Sequence, residues 1–259
     1  MNQAIDHMPA TLEVLFSPAE FEALRHRDLS QTTCVVFDVL RATSSMVTAL
    51  GNGATAIIPV AEISEALALR SRQPDLLLAG ERNGLRIRGD LTGGVDFDFG
   101  NSPREFIHER VRRKTIVMTT TNGTRALRAC INSSAIFVGA FLNLTALTAA
   151  IRESVPRNLL VICSGTHEES SYEDTLGAGA LCDGLWPLYE AGAVADSAQI
   201  ARQLFLSERN DLTSAIQRAR NGRRLLTIPD LAADVPLCLQ TGIIPLVPRL
   251  NADGRVTVA

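Results

Sequence analysis

The strongest constraint on this chain is an alternation along its length. Short β-branched runs are each followed by a cluster of Ser, Thr, Asn, Gly or Asp, and then by a helical pattern. Strands are predicted over 33–38, 54–60, 76–79, 115–120, 135–138 and 159–163, with helices over 43–50, 64–70, 124–131, 144–153 and from Tyr172 onward. Strand–helix alternation implies right-handed βαβ crossovers and a mostly parallel sheet covered on both faces. The unbroken apolar run Cys34-Val35-Val36-Phe37 suits such a doubly buried strand. The expected fold is of the α/β class, a three-layer α/β/α arrangement with a mostly parallel sheet, in one domain over 1–259. A more charged helical excursion is expected at about 195–235, and late strands at 243–247 and 255–258 as antiparallel additions. Asp90–Gly100 reads as a glycine-rich loop. Ser102 with Pro103 and Glu105, and Ser171 with Asp174, read as capping boxes opening helices.

A chain of 259 residues can bury a full core without disulfides or structural metal. Its five cysteines form no C-x-x-C pair, which fits reduced, buried thiols in a cytoplasmic protein. Met1–Ala10 carries no charged-then-apolar leader, and no apolar run approaches the ~20 residues that span a bilayer, so no membrane partner is expected. The net charge is -3. The basic clusters Arg110–Lys114 and Arg218–Arg224 are balanced elsewhere and read as solvated faces, so no nucleic-acid partner is expected.

Open α/β sheets bind ligands beyond the carboxyl ends of their strands. Asp38, Arg41 and Thr43 follow the first of these strands, and Gly80, Glu81 and Arg82 follow the third. The run Thr119-Thr120-Thr121-Asn122-Gly123-Thr124-Arg125 follows the fourth, and Ser164, Gly165, Thr166 and His167 the last, with Glu173 and Asp174 opening the next helix. Each cluster alone is also what ordinary turn chemistry looks like. Together they predict one polar sheet edge. The 119–125 run joins a strand to a helix N-terminus, where free N–H groups favour anions. A carboxylate at the end of a buried strand needs a partner or a metal, and Arg41 is one candidate partner for Asp38. Position 40 is leucine, which argues against an aspartate-nucleophile phosphatase that needs a second Asp two residues on. Several oxygen donors without Cys/His pairing suit Mg²⁺ rather than Zn²⁺. His167 reads equally as a general acid or a surface residue.

The strings V-V-F-D-V-L-R-A-T-S-S (35–45), A-G-E-R-N-G (79–84), F-G-N-S-P-R-E (99–105), T-T-T-N-G-T-R-A-L (119–127), S-G-T (164–166) and Y-E-D-T-L-G-A-G-A-L (172–181) resemble the 2-phosphosulfolactate phosphatases of coenzyme M biosynthesis. The similarity runs from about residue 12 into the C-terminal V-P-L-C-L-Q and I-P-L-V-P segments. The stretch around 90–97 looks longer than the family pattern and the C-terminal segment diverges from it. The resemblance implies Mg²⁺-dependent hydrolysis of 2-phospho-3-sulfolactate to 3-sulfolactate and phosphate.

On this basis Asp38, Arg41, Glu81, Arg125 and Asp174 are the expected catalytic residues, and Asp38, Glu81, Glu173 and Asp174 the expected metal ligands. Arg41 and Arg125 would hold phosphoryl oxygens together with the turn Thr120-Thr121-Asn122-Gly123-Thr124, and Thr43 would assist. Arg82, Asn101, Ser102, Ser164, Gly165 and Thr166 would hold the substrate's other acidic groups. The partner is a small phosphorylated acid, and a homodimer is the default assembly. Two other readings stand beside this one: a non-catalytic sensor of small anions, and a phosphatase of another small ester such as a sugar phosphate.

Overall fold

The computed structural model describes residues 10–258. Among them eleven strands join in one sheet: β1 (Thr11–Leu15), β2 (Thr32–Phe37), β3 (Ala56–Pro59), β4 (Leu77–Arg82), β5 (Leu85–Arg86), β6 (Thr115–Thr119), β7 (Ala135–Gly139), β8 (Asn158–Cys163), β9 (Ala193–Val194), β10 (Pro248–Leu250) and β11 (Val256–Val258). Their order is β5-β4-β6-β3-β11-β10-β7-β2-β8-β1-β9. Two parallel blocks are visible in the pairing. In one, β4 and β3 flank β6; in the other, β7, β2, β8, β1 and β9 lie side by side. The β10–β11 hairpin sits between them and pairs antiparallel with β7 on one side and β3 on the other.

The expected α/β class and the three layers are what the structure has. Alternate residues of β2 enter separate cores. Cys34 and Val36 pack with Met46, Val47, Ala126 and Leu127 on one face. Val35 and Phe37 pack with Leu147, Ile151, Leu176 and Leu181 on the other. Such two-sided burial is why β2 reads as an unbroken apolar run. On the other block Ile116 and Met118 of β6 share the first core, while Val117 joins a third cluster with Leu78 and Phe97. The expected helical excursion is present as helices Asp196–Glu208, Leu212–Arg218, Arg220–Leu226, Pro229–Ala232 and Asp234–Cys238. All five cysteines are buried and free. Among the described residues no helix is long and apolar enough to cross a membrane.

The structure departs from the sequence reading in places that bear on the site. Three antiparallel steps separate β3 from β7, so the two blocks point in opposite senses, and the site is not one edge of a uniform parallel sheet. β4 continues through Gly80-Glu81-Arg82 instead of ending at residue 79, and turns at Asn83-Gly84 into β5. Both turn residues have positive φ, 54° and 76°, which is what an Asn-Gly hairpin turn supplies. The strand expected at 243–247 lies later, at Pro248–Leu250, and 90–100 begins with a helical turn, Gly89–Thr92. Neither expected capping box forms. Ser102 Oγ donates to the Asp234 carboxylate at 2.6 Å, a stronger acceptor than a neutral group, while Glu105 accepts the Gly100 N–H. Asp174 turns away from its own helix to accept the N–H groups of Val39 and Gly165.

Candidate active site

The ends of β2, β4, β6 and β8 meet around a cavity of about 90 Å³, lined among others by Asp38, Arg41, Glu81, Asn101, Thr121, Asn122, Gly165 and Thr166. Asp38 is held from three directions. Its N–H donates to Thr43 Oγ1 at 3.0 Å, and its carbonyl accepts from the Thr43 hydroxyl at 2.9 Å. One carboxylate oxygen accepts the Ala42 N–H at 3.1 Å. The other faces Gly123: a Cβ added there would lie 2.6 Å from Asp38 Oδ2 and 2.8 Å from Ala42 Cβ. Only glycine lets the turn after β6 approach the end of β2 this closely.

Glu81 fixes the opposite wall. Its two oxygens accept Thr121 N–H and Oγ1–H, both at 2.9 Å, and the Gly84 N–H at 2.7 Å. Thr120 and Thr124 satisfy each other, hydroxyl to backbone N–H, and the Thr121 N–H goes to Glu81, so these three donors of the expected anion cradle at 119–125 are engaged within the protein. Arg41 is nearly fully buried. It donates to Asp234 Oδ2 and to the Gly84 carbonyl, each at 2.7 Å. Its carboxylate partner is therefore Asp234, not Asp38.

Four carboxylates crowd this region. Glu81, Glu173 and Asp174 are buried and Asp38 is partly so. Burial pushes the Asp38 carboxyl up to about 7, and the negative charges of Glu81 and Glu173 add to the rise, against the Ala42 N–H and Arg41. Burial, then Asp38 and Glu173, raise Asp174 well above the usual carboxylate range, although two N–H groups oppose the shift. A carboxyl raised on folding favours the folded state fully below its unfolded value near 4, and that contribution is lost as pH rises through the folded value. The metal-free protein should therefore be less stable at pH 8 than at pH 5, by a few kcal/mol at most. Thermal unfolding in chelator across that window checks the sign.

Several expected site residues stand elsewhere. Arg125 lies outside the cavity, paired with Glu22 and Glu168. Arg82 donates to Thr119 Oγ1 and the Glu81 carbonyl and lines an adjoining groove. Thr43, Ser102, Thr120, Thr124 and Ser164 are buried and do not line the cavity; Thr43 and Ser102 act by holding Asp38 and Asp234. Asn101, Thr121, Asn122, Gly165 and Thr166 do line it. So do residues the sequence reading left without a role: Asn83, Gly84, Asn221, Arg224, Leu225 and Ile228. His167 is exposed at the mouth with φ of 55°, its carbonyl accepting from Asn122.

The expected metal quartet does not assemble. Among the described residues no group of three or more His, Cys, Asp or Glu side chains could hold a metal ion. Glu81 and Asp174 spend both oxygens on N–H or O–H donors. What remains is a looser donor set. Asp38 Oδ2 and Glu173 Oε2 accept no hydrogen bond among the described residues. Asn101 Oδ1 is buried without any partner. Mg²⁺ commonly takes only one or two carboxylates and completes its shell with water and phosphate oxygens, and this set fits that habit, not a closed cage.

The family model for 2-phosphosulpholactate phosphatase matches residues 19–253. A protein of Pseudothermotoga lettingae named probable 2-phosphosulfolactate phosphatase is 36% identical over 250 residues, covering 96% of this chain and 99% of its own. Proteins with the same name from Caldanaerobacter subterraneus subsp. tengcongensis and Gloeobacter violaceus are 36% and 38% identical, covering 89% and 85% of this chain and 92% and 89% of their own. The class these matches define is that of phosphoric monoester hydrolases. Within it, the chain belongs to the 2-phosphosulpholactate phosphatase family.

Proposed function

We propose that this phosphatase hydrolyses the phosphomonoester of a small anionic 2-hydroxy acid, 2-phospho-3-sulfolactate, to 3-sulfolactate and phosphate, with Mg²⁺ as its cofactor. The observation that carries the proposal is the crowding of the Glu81, Glu173 and Asp174 carboxylates around Asp38 at the edge of the cavity. Packed together without an equal number of cations, they destabilise the fold, which makes sense if a divalent ion offsets their charge when the enzyme works. A sensor of anions has no use for them and would bind its ligand more tightly without them.

Asp38 and the Asn101 amide oxygen would hold the ion, with Glu173 behind them. Once bound, such an ion neutralises phosphoryl oxygens and lowers the pKa of a coordinated water. The protein's own part is positioning. Asp38 is fixed by Thr43, Ala42 and Gly123, and Glu81 locks the Thr121 backbone. Arg41 lines the cavity and would meet phosphoryl oxygens there with the planar guanidinium that Asp234 and the Gly84 carbonyl hold in place, a role Arg serves better than Lys.

The direct test is phosphate release by purified protein from 2-phospho-3-sulfolactate, 2-phospholactate and common sugar phosphates, with Mg²⁺ or with chelator. Release that depends on Mg²⁺ and is fastest with the sulfonated acid is the expected outcome. Silence with every ester, alongside tight binding of the acids, would establish the sensor instead.

A further inference from the structure

Two arginines line the cavity, Arg41 and Arg224. They are not equivalent. Arg41 is committed to the fully buried Asp234 at 2.7 Å. Arg224 has no carboxylate partner among the described residues; its Nη2 donates across the mouth to the Asn83 carbonyl. It comes from helix Arg220–Leu226 in the excursion, whose cavity face carries Asn221, Arg224 and Leu225 at helical spacing, with Ile228 just beyond its end also lining the cavity. Asn221 pins that face to Glu173 at 2.6 Å. The cavity is thus lined by the carboxylates of Asp38 and Glu81 and by one exposed cation, Arg224, without a carboxylate partner among the described residues.

That polarity has a chemical meaning. A phosphoryl group at Asp38 can be neutralised only by a bound cation and Arg41. Any further acidic group on the same small molecule must avoid the Asp38 and Glu81 carboxylates and find a positive charge elsewhere. Arg224 supplies it, and the carbonyl it now touches is a neutral acceptor that an anion displaces readily. Resting on the phosphatase reading above, we infer that Arg224 is a specificity-determining residue: it binds one of the substrate's acidic groups other than the phosphate, carboxylate or sulfonate, and so selects phosphorylated acids over neutral phosphate monoesters.

The test compares wild type, Arg224→Gln and Arg224→Lys on 2-phospho-3-sulfolactate and on phenyl phosphate. For Arg224→Gln the loss of kcat/KM on the acid should exceed the loss on the neutral ester by at least about tenfold, the worth of one charged hydrogen bond. The loss should lie mainly in KM, and Arg224→Lys should recover part of it. Equal losses on both esters, or none on the acid, would overturn the inference. If wild type hydrolyses neither ester, the phosphatase reading fails separately. Binding of 3-sulfolactate by calorimetry then still decides Arg224: it should weaken at least about tenfold in the Gln variant, and unchanged binding sinks the assignment.

Discussion

Replacing Asp38 by asparagine should lower kcat by about a thousandfold or more and, at the same time, make the protein more stable at pH 8. The two effects have one cause. Asp38 ends a buried strand beside Glu81 and Glu173, and its carboxyl is held up to about 7 by burial and by those charges. Asparagine keeps the acceptor for the Ala42 N–H and removes the charge that must be confined there. In chelator the gain should be about 2–3 kcal/mol larger at pH 8 than at pH 5, because at pH 5 only the part of the cost accrued above the unfolded value near 4 is present, while by pH 8 it is complete. Activity falls because the anionic oxygen facing Gly123 is lost where the ion and phosphoryl group would meet. Steady-state kinetics with thermal unfolding at the two pH values measures both effects. Near-normal turnover would remove Asp38 from the chemistry, and equal stability changes at the two pH values would remove the charge-crowding account.

The second large effect is expected at a residue that touches no substrate. Asp234 is fully buried and accepts from Arg41 at 2.7 Å, Ser102 at 2.6 Å and Arg104 at 2.8 Å. Asp234→Ala leaves the buried Arg41 guanidinium without its counter-charge. Breaking one side of such a pair costs about 3–5 kcal/mol, which for a chain of this length lowers Tm by about 10 °C. Because Arg41 lines the cavity, kcat/KM should fall by about a hundredfold even where the variant is folded. Asp234→Asn keeps the hydrogen-bond acceptor and should recover part of the stability but less of the activity. Denaturation curves beside kinetics for the two variants check this ordering.

Much of the fold is legible in the sequence because buried parallel strands carry long β-branched runs. β2, β3, β6, β7 and β8 all announce themselves in this way. β4 is truncated in the reading because Gly80-Glu81-Arg82 looks like a turn, yet those residues continue the strand and put Glu81 in the wall of the site. The opposing sense of the two blocks is invisible locally, since it depends on a three-residue strand, β10, pairing with β7 more than a hundred residues away. For the site, Asp38, Glu81 and Asn122 are legible because strand ends in an α/β protein are where ligands sit. Arg125 is misplaced by the same logic: it follows Asn122 by three residues, but its helix turns it outward to Glu22 and Glu168. Asn221 and Arg224 sit in a basic cluster that reads as a solvated face, and Asp234 sits in the charged helical excursion. The trace of Asn221 and Arg224 at the cavity is their helical spacing with Leu225, which gains meaning once the helix is known to line a cavity.

The hairpin of β10 and β11 has a consequence for how the molecule comes into being. It is the seam between the β3 edge of one half-sheet and the β7 edge of the other, and a ribosome makes it after both. Until residues 248–258 emerge, each half presents an unpaired strand edge, the kind of surface that sticks to other nascent chains. Asp38 belongs to one half and Glu81 to the other. The proposed reacting centre would therefore be joined only after residues 248–258 have been made.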